Sequence, residues 1–392
     1  GFATSFRRGR FEFEASLHEL NDFGPKDNGG DVRDLFDSLG VTDKIEWVPI
    51  PDAYRVICKN EKLDALMPFG IKAYIDKMEK YVPGSRDSVT KFFTLADETR
   101  KAQAYTNAKN GVVDSSYMVK NHGNYVRTGS YSVSEVLDSL KMPQKAKDIL
   151  SAYWCYLGAH CDDLSFTHYA SMVIRYISRG AMMPKGRSHE ISLALCERIR
   201  ELGGDIWFNT EAEKIVTGAD GGVEGVILKG GRQIKTRHVI ANCSPHLVYG
   251  KMMDNVPESV VRATNARKFS GRGFCMFLGL NKTADELGIE NHNYFLYDTS
   301  DSVRQYEIMK KISTNAAQAT VCLNRAYPEC SPAGTAMMYF TTLYMSDDWG
   351  NVKPQDYART KEKVANMMIS RFEEYTGCKI KDSIEEIAVA TP

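Results

Sequence analysis

The sequence predicts a mixed α/β protein with more than one module, and three observations support this class. Its 392 residues exceed what one ordinary hydrophobic core requires. Residues 71–176 show mainly helical spacing of apolar side chains, whereas residues 205–241 show short alternating runs separated by Gly-Gly pairs. Further strand patterns after residue 245 and a long helical pattern over residues 355–375 complete the mixture.

The N-terminal residues predict a turn, a strand and then a helix. Phe11, Phe13 and Ala15 alternate with acidic residues, and Gly9 supplies a turn just before them. Residues 31–40 have helical spacing that ends at a glycine, and residues 47–58, which two prolines interrupt, predict short strands.

The helical module is rich in aromatic residues and methionine. A cap at Ser132 predicts the start of one of its helices. Its most prominent side chains are Tyr153, Trp154, Tyr156, Tyr169 and Met172. Such residues at helical spacing more often form plain core than line a ligand cavity, and both interpretations stay open.

The region between Pro184 and Pro245 is predicted to be a helix followed by a strand meander. Residues 188–202 form the amphipathic helix, which two glycines end. Strands are predicted over residues 205–209, 213–216, 223–228, 232–235 and 238–241. Later strands are predicted over residues 274–280, 294–297, 319–324, 336–343 and 380–389.

Composition excludes several classes of protein. Fifty basic residues balance fifty acidic ones, so no overall field favours nucleic acid. No apolar run approaches the ~20 residues that a membrane-spanning helix needs, although peripheral membrane contact stays open. The nine scattered cysteines suit a reducing cytoplasm. One cluster of possible metal ligands matches no zinc spacing, so no metal site is predicted; it comprises Cys155, His160, Cys161, Asp162 and Asp163.

The chain contains no GxSxG, Walker or HExxH motif, and no GxGxxG either. Two blocks nevertheless resemble the phytoene desaturase, retinol saturase and amine oxidase superfamily of FAD-dependent oxidoreductases. The first is GFATSFRRGRFEFEASLH at residues 1–18, where Gly1 matches the last glycine of the family's first motif. Phe13-Glu14 stands for the family's Phe-Asp, and Ala15-Ser16-Leu17-His18 for x-Gly-x-His, with Ser16 replacing a glycine.

The second block resembles the family's internal FAD segment. It runs from MPKGRSH at residues 183–189 through GGDIWFNTEAEKI at residues 203–215 to NCSP at residues 242–245. Arg187 departs from the family's second glycine. Ala212 stands where the family contacts adenine through the backbone, so the loss of a larger side chain there does no harm.

This resemblance implies a fold, a cofactor and candidate residues. It implies a discontinuous, incomplete Rossmann-like FAD domain over residues 1–20 and 184–246, and a substrate domain with a mixed or antiparallel sheet and a helical module over residues 21–183 and 247–392. FAD is the implied cofactor, and NAD(P) stays open as an electron partner. The candidate FAD-binding residues are Gly1, Thr4, Arg7, Arg8, Ser16, Ala212, Asn242, Ser244 and Pro245.

His18 is the candidate group beside the flavin, and an ordinary strand-end histidine is the alternative interpretation. The candidate substrate pocket comprises the five aromatic and methionine residues of the helical module. The implied reaction is desaturation or saturation of a long apolar substrate such as a carotenoid, a retinoid or another isoprenoid lipid. Two alternatives stay open: a non-catalytic scaffold for apolar ligands or partners, and a flavoenzyme similar to amine oxidases.

The resemblance also leads us to expect a fragment that lacks the family's first dinucleotide-binding motif and its last FAD segment. The pyrophosphate of such cofactors normally sits at a glycine-rich turn before a helix, and the 392 residues contain no such motif. We therefore predict that residues 1–392 do not retain FAD tightly. Gel filtration with absorbance detection tests this, and stoichiometric flavin that co-elutes with the chain would contradict it.

Overall fold

The computed structural model describes residues 3–267, 271–313 and 317–392. The chain forms two compact units, which are described separately below. The larger unit contains Gly1–Arg198 and Gly271–Pro392, and the smaller unit contains Ile199–Ser270.

The secondary structure alternates between strands and helices along the chain. The described strands are β1 (Ser5–Arg8), β2 (Phe11–Glu14), β3 (Leu20–Asn21), β4 (Trp47–Pro49), β5 (Tyr54–Cys58), β6 (Leu63–Met67), β7 (Ala181–Pro184), β8 (Ala212–Thr217), β9 (Val223–Leu228), β10 (Gln233–Lys235), β11 (Arg272–Leu280), β12 (Asn293–Leu296), β13 (Gln318–Cys322), β14 (Ala336–Tyr344) and β15 (Ile384–Ala390). The described helices are α1 (Asp31–Leu39), α2 (Ile71–Tyr81), α3 (Arg86–Ala108), α4 (Ser115–Asn121), α5 (Gly123–Thr128), α6 (Val133–Ser139), α7 (Gln144–Leu150), α8 (Phe166–Arg179), α9 (His189–Glu201), α10 (Pro245–Leu247), α11 (Glu258–Asn265), α12 (Ser302–Ile308) and α13 (Pro354–Thr376).

A seven-stranded sheet organises the larger unit, in the order β15-β11-β14-β13-β12-β5-β6. Its neighbours pair antiparallel except for β12 and β5, which run parallel. A second sheet has the order β3-β7-β4, and β1 and β2 form a hairpin. The sheet therefore joins segments far apart in sequence, since Phe295 pairs with Val56.

The two faces of the large sheet pack against different helices. In β12, Phe295 belongs to the core of the helical module, whereas Tyr294 and Leu296 belong to the core that α13 covers. Successive side chains of a strand point to opposite faces, so both faces are buried here. The helical core also takes in the short helix Ala152–Leu157.

The β1-β2 hairpin packs on the large sheet through aromatic rings. Gly9 has φ of 52°, which a turn at this point requires. Phe11 and Phe13 are buried against β11 and β14, and the Phe13 ring lies 6.0 Å from that of Phe277. A Cβ at Gly279 would lie 2.5 Å from the Phe11 ring, so the close approach of the hairpin depends on this glycine.

The smaller unit is an antiparallel meander of β8, β9 and β10 with short helices. Its core contains Ile215, Val248 and Met252. Two glycine-rich turns connect its strands, and Gly230 and Gly231 both have positive φ. The meander agrees with the pattern of the sequence.

The predicted mixed α/β class, its mixed sheet and its helical module are confirmed. Helix α1 ends at Gly40 in the left-handed conformation, and Ser132 caps α6 in a reciprocal capping box with Glu135. The proposed division into a discontinuous FAD domain and a substrate domain stays a prediction. None of the helices in the described ranges is both long and apolar enough to cross a bilayer.

Two predicted strands are wrong. Residues 205–209 are irregular because the Asp205 carboxylate accepts hydrogen bonds from Ile206 N and Trp207 Nε1, which favours a turn. Residues 238–241 are also irregular, since the Thr236 hydroxyl bonds both the nitrogen and the oxygen of His238. Local side-chain bonds replace strand pairing in both places.

Candidate functional site

The segment after β2 is held in place by the buried carboxylate of Glu14. Its oxygens accept hydrogen bonds from Ser188 N (2.8 Å) and Ser188 Oγ (2.6 Å), and one also accepts from Ser16 N at 3.3 Å. Ala15 N donates to Thr4 O at 3.2 Å. Burial raises the pKa of Glu14, although its hydrogen bonds act against that rise. Glu14 thereby joins the first sequence block to the beginning of the second.

His18 lies in this segment, and its hydrogen bonds define which ring nitrogen carries the proton. Its Nδ1 lies 3.1 Å from Ser16 O, and a carbonyl oxygen only accepts, so Nδ1 carries the ring proton. Its Nε2 is then an acceptor, 3.5 Å from Tyr156 Oη and 3.9 Å from Glu19 Oε1. Burial lowers the pKa of His18, which favours the neutral ring.

Buried polar groups from the same segment and from two others lie near His18. Neither carboxylate oxygen of Glu19 has a hydrogen-bond partner among the described residues, and burial, with the charge of Asp52, raises the pKa of Glu19 to about 8. Asp52 accepts a hydrogen bond from His292 N at 3.4 Å, and burial raises its pKa. Burial, with the proximity of His18, lowers the pKa of His292 to about 3. Burial therefore shifts the pKa of each of these four side chains, including His18, toward the neutral form relative to the same group in water.

A cavity of about 280 Å³ reaches this group of residues. Ser16, His18 and Tyr156 form part of its wall, and the rest is mainly aromatic and aliphatic. The remaining lining residues are Cys155, Phe295, Tyr297, Met309, Ala317, Gln318, Ala319, Val321, Tyr339, Thr341, Thr342 and Leu343. Few polar groups in an apolar wall are typical of sites that bind apolar small molecules.

Of the five predicted pocket residues, one lines the cavity and four belong to the helical core. Tyr156 lines the cavity, whereas Tyr153 and Tyr169 are fully buried in the helical core. Their hydroxyls donate to Ala53 O at 3.1 Å and to Leu150 O at 2.7 Å. Trp154 is also buried in that core, and Met172 packs against it. The plain-core interpretation therefore describes four of these five residues.

The predicted cofactor residues of the first block lie near the β1-β2 hairpin. Ser16 lines the cavity, and Thr4, whose carbonyl oxygen accepts a hydrogen bond from Ala15 N, is half-buried. Arg7 and Arg8 are exposed, with Arg7 paired to Glu12 at 3.3 Å. Gly1 lies outside the described residues.

The predicted cofactor residues of the second block lie in the smaller unit. Ala212 begins β8 and is exposed. Asn242 and Ser244 are exposed, and Pro245 is the first residue of α10. Their roles in binding FAD stay predictions.

Sequence reasoning missed Glu19, Asp52 and His292. Glu19 follows a predicted strand, where a charged residue is ordinarily exposed to solvent. Asp52 and His292 are 240 residues apart, and only the parallel pairing of β5 and β12 brings them together. Among the residues described, no group of three or more His, Cys, Asp or Glu side chains is arranged to hold a metal ion.

Hydrogen-bonding atoms and aromatic rings share the cavity wall, which suits a planar ring system with polar edges. His18 and Ser16 supply hydrogen-bonding atoms at its wall, and the buried atoms of Glu19 and His292 lack partners in the described structure. Tyr339, which also lines the cavity, stacks on Phe277 with the two ring centroids 5.0 Å apart. Such residues suit the flavin that the resemblance implies.

Comparison with known proteins supports the resemblance on sequence. No family model matches the chain. All-trans-retinol 13,14-reductase of Danio rerio is 22% identical, over 100% of this chain and 69% of its own length. The protein of that name from Rattus norvegicus is 21% identical, and the chain spans about half of its length (52%). A 4,4'-diapophytoene desaturase of Methylomonas is 26% identical over 48% of this chain and 37% of its own length.

Solved structures support the fold. An oxidoreductase from Methanosarcina mazei matches with a TM-score of 0.65 at 15% identity, over 100% of this chain and 80% of its own. A putrescine oxidase variant matches with a TM-score of 0.56 at 12% identity, over 96% of this chain and 76% of its own. These findings confirm that the chain is a relative of the phytoene desaturase and retinol saturase group and has the fold of the FAD-dependent oxidoreductases.

Proposed function

We propose that this protein is an FAD-dependent oxidoreductase that desaturates or saturates carbon–carbon bonds of a long apolar substrate. The substrate class is a carotenoid, a retinoid or another isoprenoid lipid. The single observation that carries this proposal is the apolar cavity that reaches His18 and Tyr156. The names of the relatives, which are retinoid and carotenoid enzymes, support the same class.

The residues of the cavity have separate tasks in this proposal. Bound flavin supplies hydride transfer. Phe295, Tyr297 and Val321 bury the apolar chain and exclude water. Ser16 and His18 would hold the polar edge of the flavin at the wall, and Arg7 or Arg8 would face its phosphates, since guanidinium groups bind phosphate through paired hydrogen bonds.

An amine substrate is less well matched to the cavity. A protonated amine needs a negative or strongly accepting partner, and the cavity lining contains no carboxylate. Glu19, the nearest buried acid to His18, has its pKa raised to about 8 and is largely neutral near pH 7. The cavity therefore favours an apolar ligand over an amine.

A bulky substitution in the cavity wall should weaken binding of a polyene. Ala319 lines the cavity and is half-buried, so Ala319→Phe would fill space that the ligand needs. We expect its Kd for all-trans-retinol, measured by quenching of tryptophan fluorescence, to rise by about tenfold or more.

Ala326→Phe is the matched control, because Ala326 is equally half-buried but does not line this cavity. Circular dichroism confirms that both variants fold. Retinol binding that is equal in both variants would contradict the proposed site. Retinol binding without reduction or oxidation of the polyene, in protein shown by absorbance to have FAD bound and tested with both oxidised and dithionite-reduced flavin, would favour the alternative of a non-catalytic scaffold.

A further inference from the structure

The pair His18–Glu19 carries a further inference about how protons reach the cavity. His18 lines the cavity, whereas Glu19 lies behind it with its side chain 1% exposed. The acid and the imidazole approach each other at 3.9 Å. No other side chain makes an ion pair or hydrogen bond to the Glu19 carboxylate in the described part of the chain.

An unpaired carboxylate at such a depth is costly, because burial removes its hydration without supplying donors. A neutral carboxylic acid avoids this cost and gains a hydroxyl donor. The acceptor that faces it is His18 Nε2, since the ring proton occupies Nδ1 at Ser16 O. We expect a small rotation of the Glu19 side chain to bring its hydroxyl within hydrogen-bond distance of His18 Nε2 in the unliganded chain.

The groups facing the pair do not supply a competing cation. Asp52 comes from the turn before β5, His292 from the segment before β12, and the hydroxyls of Tyr153, Tyr156 and Tyr176 from the helical module. Asp52 is acidic and disfavours ionisation of Glu19, and burial disfavours a charge on His292. The surroundings therefore favour one proton held on Glu19.

We propose that Glu19 and His18 form a proton relay, in which Glu19 holds a proton away from solvent and passes it through His18 Nε2 to a ligand in the cavity. The reaction that uses this proton rests on the proposed function. The resting position of the proton on Glu19 does not. His18 is the group at the cavity wall, and Glu19 acts through it as a positioning and relay residue.

The step balances for saturation of a carbon–carbon double bond. One alkene carbon would accept a hydride, with its electron pair, from the reduced flavin that the proposed function implies. Glu19 first gives its proton to His18 Nε2, which forms an imidazolium, and the other carbon then takes that proton from Nε2, using the former π electrons. The alkene is reduced, the flavin is oxidised, and the Glu19 carboxylate regains a proton from solvent between turnovers.

Infrared spectroscopy of residues 1–392 tests the relay without cofactor. Near pH 7, the carbonyl stretch of a protonated carboxyl group should be present in the original chain and reduced in Glu19→Gln. Glu12→Gln is the matched control, since Glu12 is a partly exposed, ion-paired acid whose pKa is lowered, and it should leave the band unchanged. In His18→Phe the band should shift to higher frequency, because the acid loses its acceptor. A band insensitive to Glu19→Gln, or unmoved by His18→Phe, would overturn the relay.

Kinetics at saturating FAD, reduced with dithionite and with flavin binding verified by absorbance, supply the second readout. With retinol as substrate, Glu19→Gln should lower kcat by about a hundredfold and flatten its pH profile, while KM and retinol binding stay near their original values. Glu19→Asp should recover part of the rate. An unchanged kcat in Glu19→Gln would also overturn the relay. If the original chain binds both FAD and retinol but neither saturates nor desaturates the polyene, the proposed function fails, and the infrared result alone then decides the proton arrangement.

Discussion

Replacing Asp22 by Asn should lower the free energy of unfolding by about 3 kcal/mol, because it removes the negative charge that faces two arginines. The Asp22 side chain is 1% exposed, and Oδ1 accepts from Arg179 Nη1 at 2.8 Å. Arg175 Nε lies 3.6 Å from Oδ2, and Asp31 N donates to that oxygen at 3.1 Å. Asn tolerates the left-handed backbone of this residue, φ 54°, so the substitution isolates the charge.

Urea unfolding followed by circular dichroism measures this effect. Asp31→Asn is the matched control: Asp31 also bonds Arg175, at 3.0 Å, but its side chain is 63% exposed. An exposed pair of this kind contributes less than about 1 kcal/mol. An equal loss of unfolding free energy in the two variants would show that burial of Asp22 does not increase the contribution of its ion pairs to stability.

A second large effect is expected in the pH dependence of stability. Burial raises the pKa of Glu19 to about 8 in the folded chain. Between its ordinary pKa and that value the folded chain keeps a proton that the unfolded chain has lost, so stability falls as pH rises through this window. Glu19→Gln removes this contribution. Its stability relative to the original chain should therefore rise by about 3 kcal/mol between about pH 5 and about pH 8, since one pKa unit corresponds to about 1.4 kcal/mol.

Unfolding free energies at several pH values test this sign. Glu12→Gln again serves as the control, because the pKa of Glu12 is lowered and its contribution does not decline over this range. Parallel stability curves for Glu19→Gln and the original chain would show that Glu19 is ionised when folded.

The periodic elements were predictable because each depends on local residues. The cap at Ser132, the end of α1 at Gly40 and the long helix α13 follow from short patterns. The strand predicted over residues 205–209 failed because one acidic side chain, Asp205, competes with strand pairing for backbone donors. Alternation alone contains no information about such local bonds.

The candidate site was predictable only in part. Ser16 and His18 were found through the resemblance, and both line the cavity. The partners of His18 were not found, since burial of Glu19 and the approach of His292 depend on pairing between distant strands. Tyr153 and Tyr169 share helical spacing with pocket residues, but their hydroxyls find backbone acceptors within the core. Spacing indicates that a side chain is buried, and not whether it faces a cavity.

The parallel pairing of β5 with β12 also has a consequence for synthesis on the ribosome. When β5 and β6 emerge, the strand that completes their edge lies more than 200 residues downstream, beyond the helical module and the whole smaller unit. Translation at about 5–20 residues per second leaves that edge without its partner for at least ten seconds or so. An unpaired apolar strand edge is prone to associate with other chains during such a delay. Chaperone binding to the nascent chain should therefore be strongest while residues 54–67 are exposed and residues 293–296 are still untranslated.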